Sequence, residues 1–261
     1  MSELSKLFYE RIGLSQGQNI TFDSLDHVLE KTAQTIPFEN IGIINRKTGE
    51  ISKANLVDKI LIRREGGICY ELNSLFFFFL IENGFDAVFA RGVVYNPVKQ
   101  DYQDLGRTHV TILVNHEGKT YVVDTGFGGN LPLKPVPLTG ETVTSSNGDF
   151  RVRKLDTNYG DYVVEMKLKH KDTEWKMGFA FDTRKPIDDV TEFNEIQTII
   201  AEHPESPFNK GPLLTRLTSN GNITLTNSTW TEWKDGDVSK ETIETERFKE
   251  LAKQHFGLNQ D

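Results

Sequence analysis

Apolar residues recur at helical spacing in the first third of the chain. From residue 25 onward the intervals are three and four positions, as on one face of an α-helix, at Leu25, Val28, Leu29, Ala33 and Ile36. Asp23 or Ser24 can cap the start of this helix, and Pro37 ends it. The pattern predicts a helix that buries one face.

A second helix is predicted directly after the cysteine at position 69. The stretch YELNSLFFFFLIEN is followed by Gly84, a residue that commonly ends helices. Its apolar residues cover nearly the whole circumference. A helix that is hydrophobic all round is buried, so we expect a central helix.

From Ala87 the apolar period changes from helical spacing to two, which is typical of strands. Short connections between the segments favour an antiparallel sheet or barrel. The predicted strands read AVFARGVVY, HVTILVN, TYVVD, FRVRKL, YVVEMKL and WKMGFAF.

The last part of the chain, after about Ile187, has a mixed pattern. A helix is predicted near VTEFNEIQTIIAEH, a hairpin with an Asn-Gly turn in TSNGNITL, and a final helix in ETERFKELAKQHFGL. These changes of period place boundaries near residues 84 and 190 and divide the chain into parts 1–84, 85–190 and 191–261.

Composition narrows the function classes. The net charge of −8 argues against a nucleic-acid partner, which requires a basic face, so an anionic ligand would need a local basic patch.

The N-terminus lacks a basic stretch before an apolar core, so no signal peptide is expected. Leu75–Ile81, the most apolar run, is too short to cross a bilayer. With one cysteine no intrachain disulfide forms, and we expect a cytoplasmic location and no membrane partner.

Cys69 is the candidate nucleophile. It follows Gly66 and Gly67 and stands where the second helix begins. A thiolate is the reactive form of cysteine, and the positive end of a helix dipole stabilises it. Glycines also allow a partner or substrate to approach the backbone. The competing interpretation is a small buried hydrophobic residue, and the pattern leaves both open.

His109 is the candidate base because it opens the strand HVTILV, although most histidines at strand starts are structural. The other histidines lie on a polar helix face, in charged turns, before a proline or in the terminal helix: His27, His116, His170, His203 and His255.

Asp124 ends the next strand, TYVVD. A hairpin symmetric about His116–Glu117 would place it directly opposite His109, within reach of the imidazole. This requires an even-length loop, because a three-residue loop ending in a bulge at Gly118 would put the two side chains on opposite faces. Asp124 could also be a turn-starting residue at a strand end.

The loop DTGFGGN follows, from Asp124 to Asn130. It lacks the spacing of a dinucleotide fingerprint and no helix follows it. Its backbone N–H groups could meet phosphates, or it could be a plain glycine turn. No cluster has metal-ligand spacing, so no metal is predicted.

Three motifs in order, GGICYELN, THVTILV and VVDTGFGG, resemble the bacterial arylamine N-acetyltransferase family, as do IPFEN, the N-terminal Tyr9 and Arg11-Ile12-Gly13, HPESPF and HFGL. The resemblance covers most of the chain. It implies an α+β, cysteine-proteinase-like fold with a helical bundle carrying the cysteine, an antiparallel β-barrel carrying the histidine and aspartate, and an α/β lid.

The resemblance also implies an activity and a site. The activity is ping-pong acetyl transfer from acetyl-CoA to an arylamine, arylhydrazine or N-hydroxyarylamine, through a catalytic triad of Cys69, His109 and Asp124. Substrate-binding positions are Phe38, Thr108 and Phe127. Cofactor-binding positions are Gly106, Thr125, Gly126, Gly128 and Gly129. Coenzyme A is expected between the barrel and the C-terminal part, with its phosphates near Thr125–Asn130 and a basic patch drawn from Lys99, Arg107, Lys134 and Lys210.

One position departs from the family. Glu65 stands where the family usually has an arginine that looks like a structural ion-pair partner. The hypothesis is that Arg63 or Arg64 takes over that role.

Two other classes compete with this reading. A cysteine hydrolase or transglutaminase-like enzyme would use the same triad, but the papain-type signature is missing and His109 follows Cys69 by only 40 residues. A non-catalytic binding module would bury an inert thiol, whereas a triad thiolate alkylates rapidly near neutral pH. The sequence determines neither the physiological acceptor nor the oligomeric state.

Overall fold

Helices dominate the first third of the chain in the computed structural model, which describes residues 2–15, 17, 19–169 and 171–258; the expectation for His170 lies outside these residues. The helices are α1 (Glu3–Ile12), α2 (Leu25–Thr35), α3 (Ile41–Ile44), α4 (Lys53–Leu56) and α5 (Cys69–Glu82). A 3₁₀ turn (Phe22–Ser24) precedes α2, and a π-helical turn (Val57–Ile62) extends α4. A short strand, β1 (Phe38–Glu39), follows α2.

Both predicted helices of this part are confirmed. In α2 the periodic residues Leu25, Val28 and Leu29 are buried, and the helix ends two residues before Pro37. Helix α5 has 11 of its 14 residues buried, as its uniformly apolar surface predicts. It ends before Gly84, which adopts the left-handed φ of +84° that favours glycine.

An antiparallel sheet of nine strands forms the middle of the molecule. Its order is β6-β5-β4-β2-β10-β9-β8-β7, and β3 pairs with β2 at the side. Because β6 also contacts β8, the sheet curls into a nearly closed barrel around its own apolar core. The strands are β2 (Asp86–Asn96), β3 (Asp101–Tyr102), β4 (His109–His116), β5 (Lys119–Val123), β6 (Val136–Pro137), β7 (Val143–Thr144), β8 (Gly148–Thr157), β9 (Gly160–Leu168) and β10 (Lys176–Phe181).

The β4–β5 hairpin confirms one expectation and corrects another. His116 pairs with Lys119, so the loop is the two-residue Glu117-Gly118, an even length that keeps His109 and Asp124 on one face. They are not directly opposite, however. Ile112 pairs with Val123, which places Asp124 opposite Thr111, and His109 is its diagonal neighbour. Diagonal neighbours remain within reach of a long side chain.

The C-terminal part packs a second sheet against helices. Its order is β1-β11-β12-β13-β14, so the strand in the helical part forms one edge. Two 3₁₀ turns, Val190–Glu192 and Pro207–Asn209, flank α6. The elements are α6 (Phe193–Glu202), β11 (Leu213–Thr218), β12 (Gly221–Thr226), β13 (Thr229–Lys234), β14 (Asp237–Thr242) and α7 (Thr245–Phe256). The architecture confirms the predicted α+β fold class.

The predicted Asn-Gly turn between β11 and β12 is wrong by one residue. Thr218 pairs with Gly221, so the turn residues are Ser219 and Asn220. Gly221 lies in β12, where a Cβ would stand 1.9 Å from the carbonyl oxygen of Trp233. A glycine is therefore needed at this position because the neighbouring strand approaches closely, and not because of the conformation of the turn.

Helix α5 joins the parts. The ring of Phe79 stacks on Phe8 of α1 with centroids 4.3 Å apart, and the ring of Phe77 lies 4.1 Å from Phe89 of β2. Phe89 in turn meets Phe193 of α6 at 5.0 Å. One core thus crosses residues 84 and 190, and the division into three parts there remains a prediction. Within the described residues no helix is long and apolar enough to cross a membrane.

Candidate active site

Cys69 is the first residue of α5 and is 7% exposed. Its Sγ lies 3.5 Å from the carbonyl oxygen of Thr108. The two preceding glycines serve the chain itself: a Cβ on Gly66 would stand 2.2 Å from the carbonyl oxygen of Pro37, and one on Gly67 would stand 2.8 Å from the Glu71 carboxylate. Gly66 lets the segment after α2 pack against the start of α5, and Gly67 leaves room for the Glu71 side chain. The close approach predicted for a partner or substrate is thus made by the protein itself.

His109 and Asp124 form a buried pair beside Cys69. His109 Nε2 lies 2.8 Å from Asp124 Oδ2, and both side chains are at most 3% exposed. The ring nitrogen left for the Cys69 thiol is therefore Nδ1, and the neighbouring Cys69 side chain contributes to the raised pKa of His109. The rings of Phe127 and Phe179 lie 5.1 and 4.4 Å from the imidazole and restrict its orientation.

The electrostatics of the pair favour a charged imidazole. Burial by itself lowers the pKa of His109, but the Asp124 carboxylate and the hydrogen bonds to Asp124 and Cys69 outweigh it and raise that pKa from 6.5 to about 10. The site can thus hold an imidazolium beside a thiol at neutral pH. This arrangement is the one that stabilises a thiolate.

Asn73, which the sequence analysis missed, orients the carboxylate. It is fully buried, and its Nδ2 donates to Asp124 Oδ1 (3.0 Å) and to the Val110 carbonyl (2.7 Å). Its Oδ1 accepts from the Thr125 N–H at 2.8 Å and from the Thr125 hydroxyl at 3.0 Å. The available signal was its place one turn after Cys69, on the same face of the predicted helix.

The loop after Asp124 is held closely against α5. The Gly126 N–H donates to Asp124 Oδ1 at 2.7 Å, so both carboxylate oxygens are engaged. A Cβ on Gly126 would stand 2.6 Å from Cys69 Cα. The glycine lets the loop reach the nucleophile, and its conformation fixes the carboxylate.

A cavity of about 240 Å³ opens beside the Cys69 and His109 side chains. Six of the predicted substrate- and cofactor-binding residues line it: Phe38, Thr108, Gly126, Phe127, Gly128 and Gly129. Gly106 and Thr125 do not. Gly106 has a left-handed φ of +68° in the turn before Thr108, and Thr125 is buried against Asn73. The remaining wall consists of Val94, Gln103, Asn130, Ile200, Phe208, Leu213 and Thr215.

The basic residues expected around coenzyme A lie outside this wall, and three of them are paired. Lys99 bonds Asp104. Arg107 lies 3.3 Å from Asp182, and Lys134 lies 3.3 Å from Asp26. In the described part of the chain, the structure shows no ion pair for Lys210, which is exposed. Of the four, Lys210 therefore has the charge most available to a phosphate.

Lys59 is a buried cation in this region, and the hypothesis that Arg63 or Arg64 takes over the role of the family's arginine stays a prediction. The Nζ atom of Lys59 lies 2.6 Å from Glu71 Oε1 and 3.8 Å from Glu39 Oε1, and its side chain is 15% exposed. Burial lowers the pKa of Lys59, but the two carboxylates outweigh burial and raise it. Arg63 instead pairs with Asp58 and Glu65 at the surface.

This buried group holds the start of α5. Glu71 Oε2 accepts from the Ile68 N–H at 3.1 Å, and Glu39 Oε2 accepts from the Ile41 N–H at 2.6 Å. Burial raises the pKa of Glu39 even though Lys59 opposes the shift. The lysine thus pairs with two carboxylates that accept backbone N–H groups at the starts of α5 and α3.

In the described ranges, no group of three or more His, Cys, Asp or Glu residues could hold a metal ion. The acid, base and thiol instead form a relay at a largely apolar cavity. Such an arrangement can transfer an acyl group through a cysteine.

Comparison with known proteins identifies the family. A family model described as N-acetyltransferase matches residues 21–261. Arylamine N-acetyltransferase C from Bacillus anthracis is 41% identical with a TM-score of 0.93, covering 98% of this chain and 99% of that one. The NAT3 arylamine N-acetyltransferase from Bacillus cereus is 37% identical with a TM-score of 0.94 and full coverage of both chains. An arylamine N-acetyltransferase from Mycobacterium marinum, solved in complex with CoA, is 25% identical with a TM-score of 0.84, covering 97% and 92%.

The chain belongs to the arylamine N-acetyltransferase family and is an acyltransferase. The B. cereus protein is described as having a unique Cys-His-Glu catalytic triad. In the present chain the carboxylate that meets the histidine belongs to an aspartate, Asp124.

Proposed function

We propose that this protein transfers an acetyl group from acetyl-CoA to an arylamine, arylhydrazine or N-hydroxyarylamine by a ping-pong mechanism through an acetyl-Cys69 thioester. The observation that carries the proposal is the buried relay in which Asp124 raises the pKa of His109 to about 10 beside Cys69. The co-substrate is supported by the related M. marinum enzyme, which was solved with CoA.

In the first half-reaction, Cys69 gives its proton to His109 Nδ1 and its sulfur attacks the thioester carbonyl. The bond from the acetyl carbon to the CoA sulfur breaks, and that sulfur leaves with the proton returned by His109. Asp124 holds Nε2 and stabilises the imidazolium formed in between. Free coenzyme A and acetyl-Cys69 are the products of this step.

In the second half-reaction the acceptor nitrogen attacks the acetyl-Cys69 carbonyl. His109 takes a proton from the nitrogen, the C–S bond breaks, and the thiolate–imidazolium pair is restored. The cavity walls hold the acceptor beside Cys69 and restrict access of water, which would otherwise hydrolyse the thioester. Phe38, Phe127 and Thr108 are the proposed substrate contacts. Gly128 and Gly129, which line the same cavity, are proposed contacts of acetyl-CoA.

The deciding experiment is intact-protein mass spectrometry with acetyl-CoA and no acceptor. We expect one added acetyl group, mapped to Cys69 and absent from the Cys69→Ala variant. It should persist until an arylamine or arylhydrazine is added and then discharge to the N-acetyl product.

Other outcomes would favour the competing classes. A cysteine hydrolase would turn the acetyl-enzyme over to acetate without an amine, and a binding module would never become acetylated. Acetylation that occurs only when donor and acceptor are both present would replace ping-pong transfer with a ternary complex. We further propose a cytoplasmic location, because a lone thiol nucleophile requires reducing surroundings.

A further inference from the structure

A buried asparagine ties one wall of the cavity to the helical part of the chain. Asn40 follows β1, is 1% exposed and lies outside the cavity wall. Its Nδ2 donates to the carbonyl oxygens of Phe208 and Gly211 at 2.8 and 2.9 Å, and its Oδ1 accepts from the Leu213 N–H at 2.7 Å. One amide thus fixes three points of the 208–213 segment, 168 to 173 residues away along the chain.

The 208–213 segment contributes to the cavity and carries a positive charge. Phe208 and Leu213 line the cavity, and the ring of Phe208 lies 5.7 Å from the ring of Phe38. Lys210, whose charge is available to a phosphate, lies between the two residues whose carbonyls Asn40 holds. The position of these groups therefore depends on a side chain that does not itself line the cavity.

Strand pairing does not extend over this segment. The ladder between β1 and β11 ends at the pair of Glu39 with Leu214. Beyond that pair, the Asn40 N–H reaches the Leu213 carbonyl at 3.3 Å, which is long for a hydrogen bond. The Asn40 amide continues the pairing past this point as far as Phe208.

We propose that Asn40 is a positioning residue for the acetyl donor, which keeps the 208–213 segment in the position that binds acetyl-CoA. The proposal rests on the proposed function. A protein whose binding-competent state is populated only part of the time binds its ligand with an affinity reduced by that fraction. The described hydrogen bonds of the Asn40 side chain reach neither Cys69 nor His109, so the reactivity of the thiol should not depend on Asn40.

The test compares two reactions of the same thiol in Asn40→Ala: acetylation by acetyl-CoA and alkylation by iodoacetamide. Each hydrogen bond has a net worth of about two- to tenfold in an equilibrium constant. We therefore expect half-maximal acetylation of Cys69 to need at least about tenfold more acetyl-CoA. The maximal acetylation rate should change by less than about threefold, and the pH profile of alkylation should match that of the native enzyme.

Asn209 should keep the variant folded, because its Nδ2 donates to the carbonyls of Ala201 and His203 and still ties the segment to the end of α6. Asn40→Ser, which keeps one hydroxyl donor, gives the same comparison should Asn40→Ala not fold. The matched control is Asn83→Ala, which removes two amide hydrogen bonds at the other end of α5 from Cys69. This control should leave the affinity for acetyl-CoA unchanged.

Gly211 allows a rescue. A Cβ at this position would meet its nearest atom at 3.8 Å, an ordinary contact, and alanine has less backbone freedom than glycine. Adding Gly211→Ala to Asn40→Ala should therefore restrict the segment and recover about two- to fivefold in affinity.

The proposal is overturned if the affinity of folded Asn40→Ala for acetyl-CoA stays close to the native value, if Asn83→Ala loses as much, or if Gly211→Ala recovers nothing. A pH profile of alkylation that changes together with the affinity would place the effect at Cys69 and would also overturn it. Failure of acetyl-Cys69 to form in the native enzyme would instead refute the proposed function.

Discussion

Replacement of Asp124 by asparagine removes one charge from a buried site and preserves the side-chain volume. Oδ1 accepts from Asn73 Nδ2 and from the Gly126 N–H, so the amide oxygen of the variant must occupy that position. The amide nitrogen then faces His109 Nε2, which can only accept. The neutral imidazole is thereby forced to carry its proton on Nδ1, the atom that must receive the proton of Cys69.

The size of the effect follows from the pKa of His109. A rise from 6.5 to about 10, at about 1.4 kcal/mol per unit, corresponds to a preference for the charged ring on the order of 5 kcal/mol. Without the carboxylate, burial lowers the pKa of the ring instead. The matching substitution in a serine protease triad lowers turnover about 10⁴-fold, and we expect a loss of at least about 10³-fold here.

The assay is the rate of alkylation of Cys69 by iodoacetamide across pH. In the native enzyme the imidazolium is lost only as pH rises through about 10, so its support of the thiolate should persist through pH 7–9. In Asp124→Asn that support should be absent at pH 7 and the rate there at least about tenfold lower. The surface variant Asp58→Asn is the control. A folded Asp124→Asn enzyme with an unchanged pH profile would refute the reasoning.

Three further substitutions test other parts of the site. Asn73→Ala should lower the free energy of unfolding by about 2–4 kcal/mol, measured by urea titration, because it leaves buried groups unpaired. It should also slow the acetylation of Cys69, and an unchanged acetylation rate would show that Asp124 does not need this amide. Lys59→Met should lower the free energy of unfolding by about 3–5 kcal/mol, far more than the surface control Lys53→Met. Part of this stability should return on acidification, because protonated Glu39 needs no counter-charge. Equal melting temperatures for the two variants would contradict this. Lys210→Gln should raise the KM for acetyl-CoA and weaken the salt dependence of that KM, without altering acetylation of Cys69 by p-nitrophenyl acetate. The control Lys134→Gln should change neither the KM nor its salt dependence. A salt-insensitive KM in the native enzyme would exclude an electrostatic contact.

Local patterns in the sequence predicted the main helices and barrel strands and marked the three reactive side chains as candidates. The largely apolar segment after Cys69 became the buried helix Cys69–Glu82, and the predicted alternating segments became barrel strands whose ends lie within two residues of the predicted ones. These outcomes depend on periodicity and on Pro or Gly at the ends, which are properties of neighbouring residues. His109 and Asp124 could be paired for the same reason, because a short hairpin connects them.

Tertiary packing decided what no local pattern contains. The hairpin register shifted by two residues, and the hydrogen bonds from Asn73 to Asp124 and Thr125 join a helix to a loop about 50 residues away. Lys59 became the buried partner of Glu39 and Glu71, although nothing in its local pattern marks it for that role. A buried charge requires the counter-charge that packing brings within reach in space, and distance along the chain does not determine which residue that is.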